Sequence, residues 1–195
     1  PCKFSCPVDA IYYDENGISV IDDSKCIRCG KCVHSCPFGA IGYKSSIVNV
    51  IKAIKSGKKV YAMLAPATEG QFGVDITMES WKKAMKEVGF TDFIEVGLGG
   101  DLTAKYEAEE WVEAYKDGRK KVTSCCPGFV NLVRKHYPEL SDMISTTVSP
   151  MCAVSRLVKA KEPDAVTVFI GPCLAKKSEI ADQRNEGNAD YALTY

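Results

Sequence analysis

The sequence predicts an α/β chain in two parts: a cysteine-rich module over residues 1–43 and a larger domain with a mostly parallel sheet over residues 44–195. Two observations predict this division. Six of the ten cysteines lie within the first 36 residues, and no other cysteine precedes residue 125. From residue 45 onward, apolar residues at helical spacing alternate with short apolar runs. Helices and strands in alternation favour a parallel sheet.

The composition excludes several classes of protein. The 25 basic and 25 acidic residues cancel, whereas nucleic-acid-binding proteins normally have a basic excess. No apolar run is long enough to cross a bilayer, and the best one is interrupted by Pro66. A secreted disulfide scaffold would be shorter and richer in cysteine. We therefore expect neither nucleic acid nor membrane as a partner.

The strongest motif is "CIRCGKCVHSCP", whose four cysteines are spaced C-x2-C-x2-C-x3-C-P. Three closely spaced thiolates can ligate three corners of an iron–sulfur cube, while the fourth cysteine turns to a neighbouring cluster. Zinc sites use two separated CxxC pairs, which this run lacks. The motif therefore predicts a 4Fe-4S cluster on Cys26, Cys29 and Cys32, with Cys36 directed elsewhere.

The opening "PCKFSCP" is the tail of the same motif, so the two halves resemble a bacterial two-cluster ferredoxin. The segment "AIYYDENGISVID" between them fits the hairpin of that family, with Asn16-Gly17 supplying the turn. The crossed ligation of the family implies one complete 4Fe-4S cluster, and its four ligands would be Cys6, Cys26, Cys29 and Cys32. Cys2 and Cys36 would belong to a second, partial cluster. Because its other ligands should precede Pro1, we expect an N-terminally truncated fragment.

Residues 45–195 predict helices and strands in turn. From apolar spacing we expect helices over residues 45–58, 78–90, 101–118, 128–137 and 151–160. Strands are expected over residues 59–66, 92–97, 120–124 and 165–171. The loops "TSCCPG" and "GPCLAKK" each follow a predicted strand. Because sites in parallel sheets gather beyond the carboxyl ends of strands, we expect both loops to meet at one edge of the sheet.

On residue type alone, Cys126 and Cys173 fit either of two roles. Buried core thiols are common, and this is also the default for Cys152. The upstream iron–sulfur module favours a redox site instead, because a module that delivers electrons needs an acceptor. Adjacent cysteines such as Cys125 and Cys126 rarely share one metal or form a disulfide with each other, and residue type alone leaves open whether the two have the same role or different roles.

The loops "TSCCPGFV" and "GPCLAKKSEI" resemble the first two signature loops of the iron-only (FeFe) hydrogenases, and "LAPATEGQFG" and "GGDLT" match flanking landmarks. The resemblance covers essentially the whole chain. It implies an H-cluster, which is a 4Fe-4S cube joined to a di-iron unit, and reversible reduction of protons to dihydrogen. It also implies an anaerobic cytoplasm, an electron partner such as ferredoxin or a redox subunit, and maturation proteins.

Carried over by motif, the resemblance gives the adjacent thiols two different roles. Cys126 and Cys173 would ligate the cube, whereas Cys125 would face the di-iron unit and pass it a proton, which a cysteine near its own pKa can do. The residues implied to line the cluster are Lys176, whose ammonium would bond a cyanide ligand, and Ala65 and Pro66.

A proton path is expected along residues 101–118. A helical wheel puts Glu107 and Glu110 on the flank of one apolar stripe, which comprises Ala104, Ala108, Trp111 and Tyr115. Residue type alone favours an acidic surface face for these glutamates. The resemblance implies instead that Glu107, Glu110 and Ser145 form a proton relay, with Glu179 as a further relay acid.

Departures from the family pattern indicate a divergent member. Gly171 stands where typical members have methionine, Phe129 replaces a tryptophan, and Met151 and Cys152 replace polar residues. The third signature loop is expected beyond Tyr195, so the domain would be incomplete at its C-terminus and the fragment inactive. The alternatives are a hydrogen sensor and a non-catalytic electron carrier or assembly factor. Relatives of the sensor kind tend to lack the proton-transfer cysteine, and assembly factors generally lack the adjacent cysteine pair.

Overall fold

The first part of the chain folds as a small helix–hairpin–helix module. The computed structural model of the chain describes residues 2–182 and 184–195. The elements of the module are α1 (Cys2–Ser5), β1 (Ile11–Tyr13), β2 (Ser19–Ile21) and α2 (Lys31–His34). The two strands pair antiparallel, with Ile11 opposite Ile21, and α1 packs against α2.

The hairpin turn confirms the expected role of Gly17, and an aspartate organises it. Gly17 has a φ of 76°, which a residue with a side chain adopts only at a cost. Asp14 Oδ1 accepts hydrogen bonds from the N–H groups of Asn16 and Ile18, at 2.9 and 2.8 Å. A side chain of the hairpin itself therefore accepts the hydrogen bonds of these two backbone N–H groups.

The larger part is built on a four-stranded parallel sheet of order β4-β3-β5-β6, as predicted. Its strands are β3 (Val60–Leu64), β4 (Asp92–Glu95), β5 (Val166–Ile170) and β6 (Tyr191–Leu193). The helices are α3 (Ile47–Lys55), α4 (Met78–Val88), α5 (Gly97–Lys116), α6 (Pro127–His136), α7 (Pro150–Lys161) and α8 (Ala175–Ile180). Two 3-10 helices cover Pro66–Thr68 and Pro138–Met143. No helix among the described residues is long and apolar enough to span a membrane.

Helices cover both faces of the sheet, so the core has two halves. On one face Val60, Ala62 and Leu64 of β3 pack with Met85 of α4 and Val50 of α3. On the other face the intervening Met63 packs with Met151 and Val154 of α7. Alternation along one strand thus supplies both halves, as expected for a parallel sheet buried on both sides.

The predicted strand over residues 120–124 does not join the sheet, and this prediction is wrong. Val122 forms only an isolated parallel bridge with Ile144. The segment "KKVTS" has a single apolar residue, which cannot fill the two buried faces of a central parallel strand. Conversely, the short run at the end of the sequence forms the edge strand β6.

Helix α5 differs from expectation in its start and in the face that it buries. It begins at Gly97, four residues before the predicted start at residue 101. The expected apolar stripe is exposed: Trp111 is 49% and Tyr115 83% accessible. The buried face instead contains Gly99, Thr103 and Ala114. Close approach of α7 at Gly99 explains this, because it fixes which face of α5 turns inward.

We expect Gly99→Ala to destabilise the fold by roughly 1–3 kcal/mol, the usual range for overpacking. A Cβ there would lie 2.2 Å from the carbonyl oxygen of Pro150 and 2.8 Å from Val154 Cγ2. The control is Gly100→Ala, because an added Cβ at Gly100 meets no described heavy atom within 4 Å. Higher helix propensity should stabilise that variant by about 0.5–1 kcal/mol. Urea denaturation measures both, and equal effects would contradict close α5–α7 packing.

Candidate functional site

Four thiols of the first module line one small pocket. They are the cysteines predicted as a complete ligand set, Cys6, Cys26, Cys29 and Cys32. All ten cysteines are free thiols. Burial, and next the neighbouring Cys26, raises the pKa of Cys32. Among the described residues, no three His, Cys, Asp or Glu side chains converge on a single ion. Four thiols around a pocket suit a cube better, since its irons occupy separate corners.

The two halves of the module repeat one local structure at their Cys-Pro-x-x-Ala segments. The N–H of Ala10 donates to Cys6 Sγ at 3.2 Å, and that of Ala40 donates to Cys36 Sγ at 3.3 Å. Asp9 and Gly39, one residue earlier, both have positive φ. The Ala40 bond is the main cause that lowers the pKa of Cys36. Donors aimed at sulfur favour a thiolate, as a ligand position requires.

The loops after β3 and β5 meet at the carboxyl end of the sheet. The N–H of Ala65 donates to the carbonyl of Ile170 at 2.9 Å. A Cβ at Gly171 would lie only 2.7 Å from Cβ of Ala65. Pro66, which is exposed, then starts a 3-10 turn whose last residue, Thr68, is buried. Cys173, which is partly buried, follows Gly171 by two residues. Small residues therefore allow the two loops to touch.

The cysteine pair joins this edge although no strand of the sheet precedes it. Lys176 of α8 donates from Nζ to the carbonyl of Cys125 at 3.2 Å. Cys126 is the N-cap of α6, where the helix dipole favours a negatively charged ligand. Cys125 is partly buried and Cys126 is exposed. The two neighbouring thiols thus have different surroundings.

Lys176 and Glu179 form a buried ion pair behind the cysteine pair. Nζ of Lys176 lies 2.6 Å from Glu179 Oε2, and the two side chains are 11% and 8% accessible. Ser149 donates its hydroxyl to the other carboxylate oxygen of Glu179. Removing one partner of such a pair leaves an uncompensated buried charge, so the network holds α8 and the start of α7 together.

Glu110 is anchored by three residues on another part of the chain. Its carboxylate accepts from Ser145 Oγ at 2.6 Å, Lys121 Nζ at 2.9 Å and the N–H of Thr146 at 3.1 Å. Burial acts to raise the pKa of Glu110, but the bonds from Ser145, Lys121 and Thr146 outweigh it and lower the pKa. The structure thus brings two of the predicted relay residues, Glu110 and Ser145, into direct contact.

Glu107 contacts the residues that precede the cysteine pair. Its carboxylate accepts from Thr123 Oγ1 at 2.9 Å and from the N–H of Ser124 at 3.0 Å. Within residues 2–182 and 184–195, no hydrogen bond joins Glu107 to Ser145. Glu107, with Thr123 and Ser124, therefore forms one contact group, and Glu110, with Ser145, forms another.

Hydroxyl residues that the sequence did not single out lie between these groups. Ser124 donates its hydroxyl to the carbonyl of Thr147, whose N–H donates to Ser145 Oγ at 3.1 Å. Ser124, Thr147, Ser149 and Glu179 line one open polar groove. The run "TTVS" is a visible signal in the sequence, but its partners Glu110, Ser124 and Glu179 lie more than twenty residues away.

The thiol pocket of the module lies against both later cysteine loops. Gly30 faces Leu174, the residue after Cys173, so closely that a Cβ would lie 2.3 Å from Leu174 Cδ1. An added Cβ at Gly128 would meet Cys126 Sγ at 3.9 Å and the carbonyl oxygen of Ile27 at 4.0 Å. The fold thus places the predicted electron-delivering cysteines beside the predicted cube ligands.

Comparison with known families gives two matches. Residues 58–195 match the C-terminal domain of the iron only hydrogenase large subunit. Residues 19–42 match the 4Fe-4S binding domain. The first match covers most of the chain and includes Cys125, Cys126 and Cys173.

Three curated relatives illustrate the similarity. The chain is 34% identical to the periplasmic Fe hydrogenase large subunit of Nitratidesulfovibrio vulgaris, over 82% of the chain and 50% of that relative. It is 30% identical to iron hydrogenase 1 of Clostridium pasteurianum, over 86% of the chain and 40% of the relative. It is 25% identical to the cytosolic Fe-S cluster assembly factor NAR1 of Candida dubliniensis, over 87% and 33%. The chain spans half or less of the length of each.

We expect Glu110→Gln to lower the free energy of unfolding by about 1–3 kcal/mol at neutral pH, since it disrupts a charge-assisted network. The folded-state pKa lies below the ordinary value of 4.5, so the ionised carboxylate stabilises the fold above the unfolded-state pKa. This contribution is lost as the pH falls through the folded-state pKa. The difference between wild type and variant should therefore narrow in acid.

Urea denaturation of the cluster-free proteins at a series of pH values measures this difference without acid release of iron. Glu109→Gln is the control, because Glu109 is exposed on the neighbouring face of α5. A difference that stays constant down to about pH 3 would contradict an ionised, hydrogen-bonded Glu110.

Proposed function

The chain belongs to the iron-only hydrogenase family, and on this basis we propose that its parent protein catalyses the reversible reduction of protons to dihydrogen. The thiols in the module of residues 1–43 would hold 4Fe-4S clusters, which would supply electron transfer, and the domain of residues 44–195 would hold the site of the reaction. The observation that best supports this proposal is the contact of Gly30 with Leu174, which sets the thiol pocket against the Cys173 loop.

The proposed cofactors follow from the donors present. One 4Fe-4S cluster is held by the four thiols of the pocket, Cys6, Cys26, Cys29 and Cys32. Cys2 and Cys36 contribute to a second cluster. Cys126 and Cys173 provide two of the four thiolates that the cube of an H-cluster takes. When bound, the clusters supply electrons and the di-iron unit supplies the place where electrons meet protons.

The residues around the cysteine pair keep the two thiols in separate roles. Cys126, at the start of α6, is the ligand, and Cys125 keeps an exchangeable proton. Lys176 Nζ donates to the carbonyl of Cys125 at 3.2 Å, and this hydrogen bond holds the peptide between Cys125 and Cys126 in place. Ala65, which is buried, and Pro66, which is exposed, would line the cluster from the loop after β3.

A path for protons is proposed along the polar groups that end at Cys125. Glu110 and Ser145 exchange a proton across 2.6 Å, and the hydroxyls of Ser124 and Thr123 connect to Glu107. Each hydroxyl both donates and accepts, so it can pass a proton on without holding charge. The gap between the two contact groups lies at the polar groove, where water can bridge.

Glu179 and Ser149 would form a second branch of the proton path, at the other end of the same polar groove. They are buried, and Lys176 Nζ lies 2.6 Å from the carboxylate of Glu179. This branch therefore positions Lys176 more than it conducts protons.

The proposed partners are soluble redox proteins. The iron–sulfur module exchanges electrons with a ferredoxin-like carrier or a redox subunit, and maturation proteins supply the di-iron unit. An oxygen-sensitive site of this kind fits an anaerobic cytoplasm.

A second candidate is a non-catalytic iron–sulfur protein, favoured by the 25% identity to an Fe-S cluster assembly factor. Such a protein needs the cysteine ligands but no proton donor. The two candidates therefore differ in what the thiol of Cys125 does.

We expect the full-length parent, matured anaerobically, to evolve hydrogen from reduced viologen, and Cys125→Ala to lose at least about a hundredfold of this rate. That loss is the usual scale for a proton-transfer group. Cys152→Ala is the control, since it removes a fully buried thiol of α7 and should keep most of the activity. Iron content and spectra of each variant establish that both iron units are present. A loaded parent without activity would contradict catalysis and favour the second candidate.

A further inference from the structure

We propose that Lys135 of α6 is a positioning residue for the iron–sulfur cluster of the first module: it holds the loop of residues 23–27 and places a positive charge beside Cys26. The proposal rests on the proposed function only for the identity of the cluster. It assigns α6 a role beyond the N-terminal Cys126.

Side chains on one face of α6 bind four backbone carbonyls of this loop. Lys135 Nζ donates to the carbonyl of Asp23 at 2.6 Å and to that of Cys26 at 2.8 Å. His136 Nε2 lies 2.8 Å from the carbonyl of Lys25. Asn131 Nδ2 donates to the carbonyl of Ile27 at 3.3 Å. Each contact joins residues more than one hundred positions apart.

The loop depends on α6 because three of its N–H groups find acceptors on Asp22, whereas these four carbonyls find their partners on α6. The N–H groups of Lys25 and Cys26 donate to the carbonyl of Asp22, and that of Ser24 donates to the Asp22 carboxylate. A backbone carbonyl without a partner is costly unless water replaces it. With its N–H groups turned inward on Asp22, the loop presents its carbonyls to α6. The side chains of α6 thus supply hydrogen-bond donors that the loop itself does not provide.

The loop of residues 23–27 runs along the length of α6. This contact would fix the cluster of the first module relative to the cube that Cys126 would ligate. The carbonyl of Ile27 faces Gly128 and Asn131 near the start of the helix, and that of Cys26 faces Lys135 near its end. Ten residues of helix span about 15 Å. Cys126 caps the same rigid helix. Electron tunnelling falls steeply with distance, so a fixed register between Cys26 and Cys126 favours transfer.

The charge of Lys135 is not balanced by a nearby acid. Asp23 pairs with Arg28 at 3.0 Å through its side chain and gives Lys135 only its carbonyl. Across residues 2–182 and 184–195, no carboxylate lies within 4 Å of Lys135 Nζ. When the cluster accepts one electron its charge falls by one and no bond is made or broken. A nearby cation stabilises this more negative state and raises the reduction potential.

The test is a redox titration of the 4Fe-4S signal by electron paramagnetic resonance, on the anaerobically reconstituted chain. We expect Lys135→Met to lower the midpoint potential, with a shift that shrinks at high salt, because the lysine is exposed and its charge is screened. Lys135→Arg should keep the wild-type potential. Lys83→Met, an exposed lysine of α4, is the matched control for the same change of net charge.

Hydrogen exchange of the amides of residues 23–30 reports on the holding role. We expect faster exchange in Lys135→Met than in Lys135→Arg or Lys83→Met. A midpoint potential of Lys135→Met equal to that of wild type, with the cluster intact, would overturn the proposal whatever the exchange shows. Absence of any 4Fe-4S signal in wild type would instead refute the cofactor assignment of the proposed function, so the two failures are distinguishable.

Discussion

The parallel pairing of β3 with β5 is the constraint on which the site depends. Leu64 lies opposite Ile170, so the two strands end level and their loops emerge side by side. Gly171 has no side chain to collide with Ala65, and the chain can turn at once into the loop of Cys173. That turn leads into α8, whose buried lysine reaches the loop of the cysteine pair. A shift of register would separate loops that have to act together.

Two buried or partly buried ion pairs bracket the segment from Val122 to Cys126. Lys121 pairs with Glu110 at one end, and the buried lysine and glutamate of α8 lie at the other. Buried pairs seldom stabilise a fold more than apolar residues of the same volume would. Their value here lies in placement: they fix the backbone of a segment that no sheet supports. This explains how an irregular loop can hold two thiols in different surroundings.

Periodicity predicted most of the fold, because strands buried on both faces and amphipathic helices leave clear patterns in the sequence. It failed where the pattern was weak or misleading. Residues 120–124 contain one apolar side chain, and α5 exposes Trp111 and Tyr115 because close packing at Gly99 decides its orientation. Such contacts between distant segments leave no periodic signal.

The candidate site likewise has residues that the sequence predicted and residues that it did not. Cysteine spacing within twelve residues identified the iron–sulfur motif, and the family resemblance supplied roles for the later cysteines. Lys121, Thr123 and Thr146 were not predicted because tertiary contacts alone bring them to the glutamates. Lys135 was not predicted for the same reason, since its partners precede it by more than one hundred residues.

The most direct measurement is anomalous diffraction at the iron absorption edge from crystals of the full-length parent, purified anaerobically. We expect one iron peak enclosed by the thiols of Cys6, Cys26, Cys29 and Cys32, and a second adjoining Cys126 and Cys173. Iron at the first position alone, in protein matured with its di-iron unit, would contradict a hydrogenase site and leave an electron-transfer protein.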